Sequence, residues 1–290
     1  MEQIGSLLNK SLLQVQDSDG TSPDSLTLEE RTKRLRQRLE QRKKEPERCV
    51  DCGAVLPGNH KGIRCQKCYG QYRQIMDKIQ SDSLQERITR NIAKSGLHER
   101  LLSKTFTSYS AETKEQERIL KAAYNYYTNF EQYKKQGLGL LLEGKNGTGK
   151  THITAAIANG LLQCGVSVVC KSSTSLLCDI RDTYNRVGAR EKEALQPFID
   201  CRLLIIDDFG KQQASEWSTT TLFNLLNERY ERLNPTIITT NYNLSGLEKA
   251  LTFKGSDGET EKAIISRLKE MCIPLTLVWE DYRNRKWEGA

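Results

Sequence analysis

The chain has 290 residues, 44 Lys and Arg against 37 Asp and Glu, a formal net charge of +7 and a hydrophobic content of 37%. That length fits about two domains. No run approaches the roughly 20 apolar residues of a membrane span. Residues 1–6 lack the basic-then-apolar order of a secretory signal, so membrane-embedded and exported classes are not expected.

Nine cysteines suit a reducing compartment, the cytoplasm. The positive charge is uneven. Residues 1–104 carry +6 and the remainder only +1. The excess basicity suits nucleic acid or an acidic partner.

From the N-terminus, Ile4, Leu7, Leu8, Leu12 and Val15 have helical spacing, the pattern of a short amphipathic helix seeking a partner groove. Residues 16–25 are polar and turn-rich, a linker. From Leu28 to Lys44 the chain is nearly all charge and Gln, with a thin stripe of Leu28, Leu35 and Leu39, as in an exposed helix.

Two Cys-x-x-Cys pairs follow, Cys49–Cys52 and Cys65–Cys68, twelve residues apart. Each pair makes a knuckle aiming two thiolates at one point, and four thiolates saturate a tetrahedral Zn²⁺. A redox dithiol would need only one pair. His60, between the pairs, is expected to be a loop residue. The other cysteines (Cys164, Cys170, Cys178, Cys201, Cys272) sit among apolar residues and read as small buried hydrophobes.

Residues 69–104 read as helical. From 105 to 290, strand-like and helix-like runs alternate, which predicts an α/β domain on a parallel sheet. The expected strands are Leu138–Leu142, Ser167–Cys170, Leu203–Ile206, Thr236–Thr239 and Leu275–Trp279. The expected organisation is a helical segment over 1–45, a zinc-binding module over 46–75, a helical linker over 76–104 and the α/β domain over 105–290.

Residues 144–151 complete the G-x-x-x-x-G-K-[ST] phosphate loop between a predicted strand and a predicted helix. Glycines let backbone N–H groups converge on phosphates, Lys150 reaches the β- and γ-phosphates, and Thr151 can hold Mg²⁺. The expected nucleotide-binding residues are Gly144, Asn146, Gly147, Thr148, Gly149, Lys150, Thr151 and the adjoining His152, with Asp207. Four aliphatics precede Asp207 and Asp208, the Walker B pattern. Asp207 would share the Mg²⁺ with Thr151, and Asp208 would orient the attacking water. Thr236–Asn241 is a further strand with a polar end, and Asn241 could sense the γ-phosphate. Between the second and third strands, the helical segment Ser172–Leu195 carries Lys171 (just ahead of it), Arg181, Arg186, Arg190 and Lys192, interleaved with acids. Such residues could track a phosphate backbone.

Together these positions resemble the AAA+ ATPases. More narrowly, they are similar to the DnaC/DnaI-type loaders of replicative helicases, with the IstB-type transposition ATPases close by. The residues concerned are Gly144–Thr151, Leu204–Gly210, Thr239–Asn241, Ile265–Leu268 and Asp281–Arg283, and cysteines ahead of the ATPase resemble the DnaI-type arrangement. The resemblance implies an AAA+ P-loop domain with a parallel five-stranded sheet, preceded by a helical and zinc-binding N-terminal region. It makes Asn241 a sensor of the nucleotide, Arg267 an arginine finger acting in a neighbouring subunit's site, and Arg283 a second sensor in the same subunit. Arg229 and Arg232 are the competing trans candidates.

The implied activity is ATP hydrolysis to ADP and phosphate, stimulated by assembly, with ATP, Mg²⁺ and Zn²⁺ bound. The implied partners are a hexameric replicative helicase, single-stranded DNA and further copies of the chain, with no membrane, in a bacterial or phage-infected cell. Two alternatives stay open: a helper of DNA transposition, and an adaptor that binds ATP without hydrolysing it.

Overall fold

The structure, a computed structural model, describes residues 33, 47–57, 62–184 and 191–282. The amphipathic segment at 4–15, the charged stretch at 28–44 except Lys33, His60, Arg186, Arg190 and Arg283 lie outside them. The chain divides into two compact units, Met1–Ile79 and Gln80–Ala290. Helix α1 (Gln66–Lys94) contains the division.

In the first unit, Cys49 N–H donates to Ala54 O and Gly53 N–H to Cys49 O, closing a tight knuckle. Arg48 and Val55 bridge antiparallel behind it. The second cysteine pair opens α1, where Tyr69 N–H returns to Cys65 O. Cys49, Leu56 and Cys68 are the buried core of this small unit.

The second unit is built on a parallel five-stranded sheet. Its strands are β1 (Gly139–Gly144), β2 (Val168–Ser172), β3 (Leu203–Asp207), β4 (Thr236–Thr240) and β5 (Cys272–Leu277), in the order β2-β3-β4-β1-β5. The aliphatic runs suit strands covered on both faces. Along β3, Leu203 and Ile205 pack into one core while Leu204 and Ile206 pack into the other. The first core also takes α3 (Lys114–Thr128) and α5 (Lys150–Gln163). The second takes α6 (Ser173–Tyr184), α7 (Glu191–Asp200), α8 (Glu216–Glu231), α9 (Leu244–Leu251) and α10 (Glu259–Met271). Short helices α2 (Glu99–Leu102) and α4 (Phe130–Lys135) complete the set.

Three expectations change. The last strand begins at Cys272, three residues early, and ends before Trp279. Pro274 hides this start, yet it is tolerated because β5 lies at the sheet edge and pairs with β1 alone. Ser172 closes β2, and the following segment forms two helices whose Leu176, Ile180, Leu195 and Ile199 are core residues. Of the scattered cysteines, Cys170, Cys201 and Cys272 are buried, but Cys164 and Cys178 are exposed.

Residues 91–104 hydrogen-bond to the sheet unit. Asn91 Nδ2 donates to Gly165 O at 3.0 Å, Cys170 N–H to Ser95 O at 2.7 Å, and Asn159 Nδ2 to Leu101 O at 2.8 Å and Lys104 O at 2.7 Å.

Candidate nucleotide site and metal centre

The carboxyl ends of β1, β3 and β4 meet at one place, where ligands bind in open parallel sheets. β1 delivers the loop 145–149, and α5 starts at Lys150 immediately after it. Gly147 and Gly149 have φ of +72° and +89°, a region glycine enters without strain. A Cβ on Gly147 would also overlap the Asp281 carboxylate.

Lys150 is buried, and its Nζ donates to Gly144 O at 2.7 Å, Lys145 O at 2.8 Å and Asn241 Oδ1 at 2.9 Å. Asn241 Nδ2 donates to Asn146 Oδ1 at 2.8 Å. The Thr148 hydroxyl donates to Lys145 O at 2.9 Å, and Trp279 Nε1 donates to Thr148 O at 3.0 Å. Thus the ends of β1, β4 and β5 converge on the same loop.

β3 delivers the two acids to different surroundings. Asp207 accepts from Thr151 Oγ1 at 3.1 Å on both carboxylate oxygens and from the Thr239 hydroxyl. Burial is the main influence and pushes its carboxyl above the usual range, aided by the Asp208 charge and opposed by the hydroxyls and Lys150. A half-buried carboxylate facing a threonine hydroxyl is a donor set that suits a hard cation such as Mg²⁺. Asp208 has φ +56°, held by its N–H to Thr239 Oγ1 at 3.0 Å and by Ser173 Oγ donating to its carbonyl at 3.0 Å. Its half-exposed carboxylate pairs with Lys211 Nζ at 2.8 Å.

A cavity of about 680 Å³ opens over the loop. Asn146–His152 and Asp208 line it, as do residues the motifs do not mark, among them Arg100, Lys104, Tyr109, Gln116 and Trp279. Sequence reasoning missed these because they come from segments with no phosphate-binding pattern. The Thr113-x-x-Gln116 capping box was the one available signal.

His152 anchors this wall. Its Nε2 is 3.0 Å from Thr105 O, which only accepts, so this nitrogen carries the ring proton. Burial pulls the imidazole below its usual range, and the ring meets Tyr109 edge-on at 5.2 Å. Burial also pushes the Tyr109 phenol up to about 12, keeping it protonated.

Arg267 lies on α10, outside the residues that line this cavity. Its Nε donates to Asn227 Oδ1 at 3.1 Å and its guanidinium covers the Tyr230 ring at 4.3 Å. Arg229, weighed as a trans candidate, is fully buried and bonded to its own chain's carbonyls, so that role is excluded. Arg232 pairs with Asp200 and Glu228. Of the basic residues proposed to track a phosphate backbone, Lys171 in β2 pairs with Asp179 at 3.0 Å and Arg181 in α6 lies over the Trp217 ring at 4.4 Å.

In the first unit, the ligand atoms of Cys49, Cys52, Cys65 and Cys68 all lie within 4.8 Å of one another. Cys52 and Cys65 Sγ are 3.7 Å apart. Four sulfurs about 2.3 Å from a tetrahedral metal are separated by about 3.8 Å, so the cluster fits a metal ion. The Cys65 backbone leads the groups that pull the Cys49 thiol down to about 6, and thiol hydrogen bonds led by Cys52 push Cys68 up to about 12.

A family model described as IstB-like ATP binding protein matches residues 66–290. The chain belongs to this family. Among curated relatives, this IstB-like chain is similar to the replicative helicase loader DnaC of Escherichia coli (strain K12). Identity is 27% over 200 residues, 69% of this chain and 77% of that protein. Among solved structures, the crystal structure of DnaI has a TM-score of 0.53 at 21% identity, covering 64% of this chain and 94% of that one. The crystal structure of the DnaC helicase loader has a TM-score of 0.51 at 23% identity, covering 62% and 99%. The likeness to these structures is one of fold, here an α/β domain on a five-stranded parallel sheet. Among the described residues, no helix is long and apolar enough to cross a membrane.

Proposed function

We propose that this chain is an ATP-dependent loader of a replicative DNA helicase onto single-stranded DNA during replication initiation, working in the bacterial cytoplasm. The observation that carries the reading is the Lys150–Asn241–Asn146 chain of hydrogen bonds, which joins the phosphate loop to the end of β4. The helicase-loader relatives supply its biological direction.

A triphosphate entering the loop draws Lys150 from the carbonyls and Asn241 toward the γ-phosphate. Loss of that phosphate returns them. Nucleotide state is thereby written into the end of β4, a switch biased by differential contacts. Thr151 and Asp207 would hold Mg²⁺, which neutralises phosphate charge when bound. Asp208 accepts a hydrogen bond from the attacking water and orients it. Arg267 would serve a neighbouring copy's site, and Arg283 its own. Gly144, Gly147, Thr148 and Gly149 shape the cradle, and His152 holds its wall.

The four cysteines would hold structural Zn²⁺, with no open position for chemistry. Docking to the hexameric helicase is assigned to the first compact unit, Met1–Ile79, and ATP work with self-association to Gln80–Ala290. Single-stranded DNA contact is assigned to the segment between β2 and β3.

The family's IstB-like description favours one second reading, an ATPase helper of DNA transposition. The test is capture from the native host with the Asp208→Asn variant, which should hold ATP unhydrolysed, followed by loading on single-stranded DNA. A replicative helicase retained by the variant with ATP, and released from the wild-type chain as it hydrolyses ATP, supports the proposal. Retention of a transposase instead, or helicase loading indifferent to ATP, overturns it.

A further inference from the structure

Gln116 stands in the first turn of α3 and lines the cavity over the phosphate loop. It is only 8% exposed. Its Oε1 accepts the backbone N–H of Glu112 at 2.7 Å and of Thr113 at 3.1 Å, while its own N–H donates to Thr113 Oγ1 at 3.2 Å. These bonds fix which end of the amide is which. Reversing it would set the NH₂ group against two backbone N–H donors.

The amide nitrogen is therefore held in one orientation. Among the described residues it has no hydrogen-bond partner, and its residue lines the cavity. A nearly buried donor left over after the cap is satisfied serves whatever fills the space beside it. The phosphates belong to residues 144–151. Gln116 comes from a different element and shares the cavity with Leu101 and Tyr109, apolar and aromatic surface suited to a planar ring.

We infer that Gln116 reads the nucleobase, donating from Nε2 to an acceptor nitrogen of a purine ring. The capping box is thus also a specificity element: the backbone of residues 112 and 113 dictates that this position offers a donor and refuses one. The inference rests on the nucleotide reading above and deepens it.

The test uses the full chain and Gln116→Glu, which keeps the cap's acceptor and the volume and replaces the donor by a carboxylate oxygen, whose added charge the tripolyphosphate control reads. A carboxylate in the first turn also suits the helix dipole, so the fold is expected to persist. With Mg²⁺ present, calorimetry should show ATP affinity falling about tenfold in the variant, with tripolyphosphate affinity unchanged. On the wild type, one of 1-deaza-, 3-deaza- and 7-deaza-ATP should bind about tenfold more weakly than ATP, and that loss should vanish in the variant.

Equal ATP affinity for both proteins overturns the assignment. So does an equal loss for ATP and tripolyphosphate, which marks charge repulsion, or wild-type binding of all three analogues as tightly as ATP. Wild type that binds no ATP at all sinks the nucleotide reading itself, a result seen before any variant is made.

Discussion

Lys150 donates to Asn241 across the site, Nζ to Oδ1 at 2.9 Å, tying the start of α5 to the end of β4. The two residues should fail differently. Lys150→Ala removes a charge-assisted contact to phosphate and should weaken ATP binding by about 100-fold or more. Asn241→Ala should bind ATP within about threefold of wild type and hydrolyse it about 100-fold more slowly, as expected for a group that matters once charge develops. Calorimetry and phosphate release separate the two. Equal binding defects would show that Asn241 only braces Lys150.

Asp207 gives a dependence on pH with a definite sign. Its carboxyl is held above the ordinary value of 3.8, chiefly by burial. The folded chain then binds this proton more tightly than the unfolded chain. Stability therefore falls as pH rises from about 3.8 through the raised folded value. Asp207→Asn should raise the melting temperature of the ligand-free protein at pH 7, with the gain shrinking toward pH 4. The same change should remove the Mg²⁺ dependence of ATP binding. Scanning calorimetry across pH checks the first part, and a lower melting temperature for the variant at pH 7 would contradict it.

The legibility of this chain follows the range of its interactions. The phosphate loop could be read because strand, glycine turn, Lys150 and helix are consecutive. Strands β1 and β3 could be read because burial on both faces demands unbroken aliphatic runs. The start of β5 was hidden by Pro274, whose tolerance depends on an edge position that no local pattern reveals. Tyr109 and Gln116 join the site only when α3 packs on α5, a tertiary event. Arg229 read as a candidate for a trans role because nothing in its helix announces the carbonyls it meets.

That arginine should be a stability determinant. Arg229 donates to the carbonyls of Phe198, Ile199, Cys201 and Pro235 and to Thr236 Oγ1, stitching the end of α7 to the starts of β3 and β4. Arg229→Met leaves these buried acceptors unpaired and should cost about 3–5 kcal/mol. Arg229→Lys keeps the charge but not the fork, and should recover less than half of that. Urea unfolding supplies the numbers. A loss below about 1 kcal/mol for Arg229→Met would mean the carbonyls find water instead.

The cysteine cluster should be a separate folding unit with its own ligand. Replacing Cys49 and Cys52 by Ser removes two of four sulfurs that lie within 4.8 Å of one another. Zn²⁺ should be lost, as read by a colorimetric zinc assay, and amide exchange protection should disappear in residues 47–79. Residues 80–282 should keep theirs, together with ATP binding, because their cores do not include the cysteine pairs. Unchanged protection at 47–79 in metal-free protein would show that the knuckles fold on hydrogen bonds alone.

Arg267 is the residue through which assembly should reach the chemistry. Its guanidinium rests on Tyr230, and its Nε on Asn227, with Glu270 at 3.9 Å. The residue is a third exposed and outside its own chain's cavity lining, so a copy alongside can receive it. Arg267→Ala should bind ATP as wild type does, yet lose any rate gained on assembly, by about 10³-fold or more where the finger acts fully. Mixing tells trans from cis. Arg267→Ala has an intact ATP site, and Lys150→Ala has an intact arginine. Neither alone should turn over, but equimolar mixtures should, since the second protein lends its arginine to the first. Mixtures that stay silent, under conditions where wild type assembles, would return Arg267 to its stacking and hydrogen-bonding role within α8 and α10.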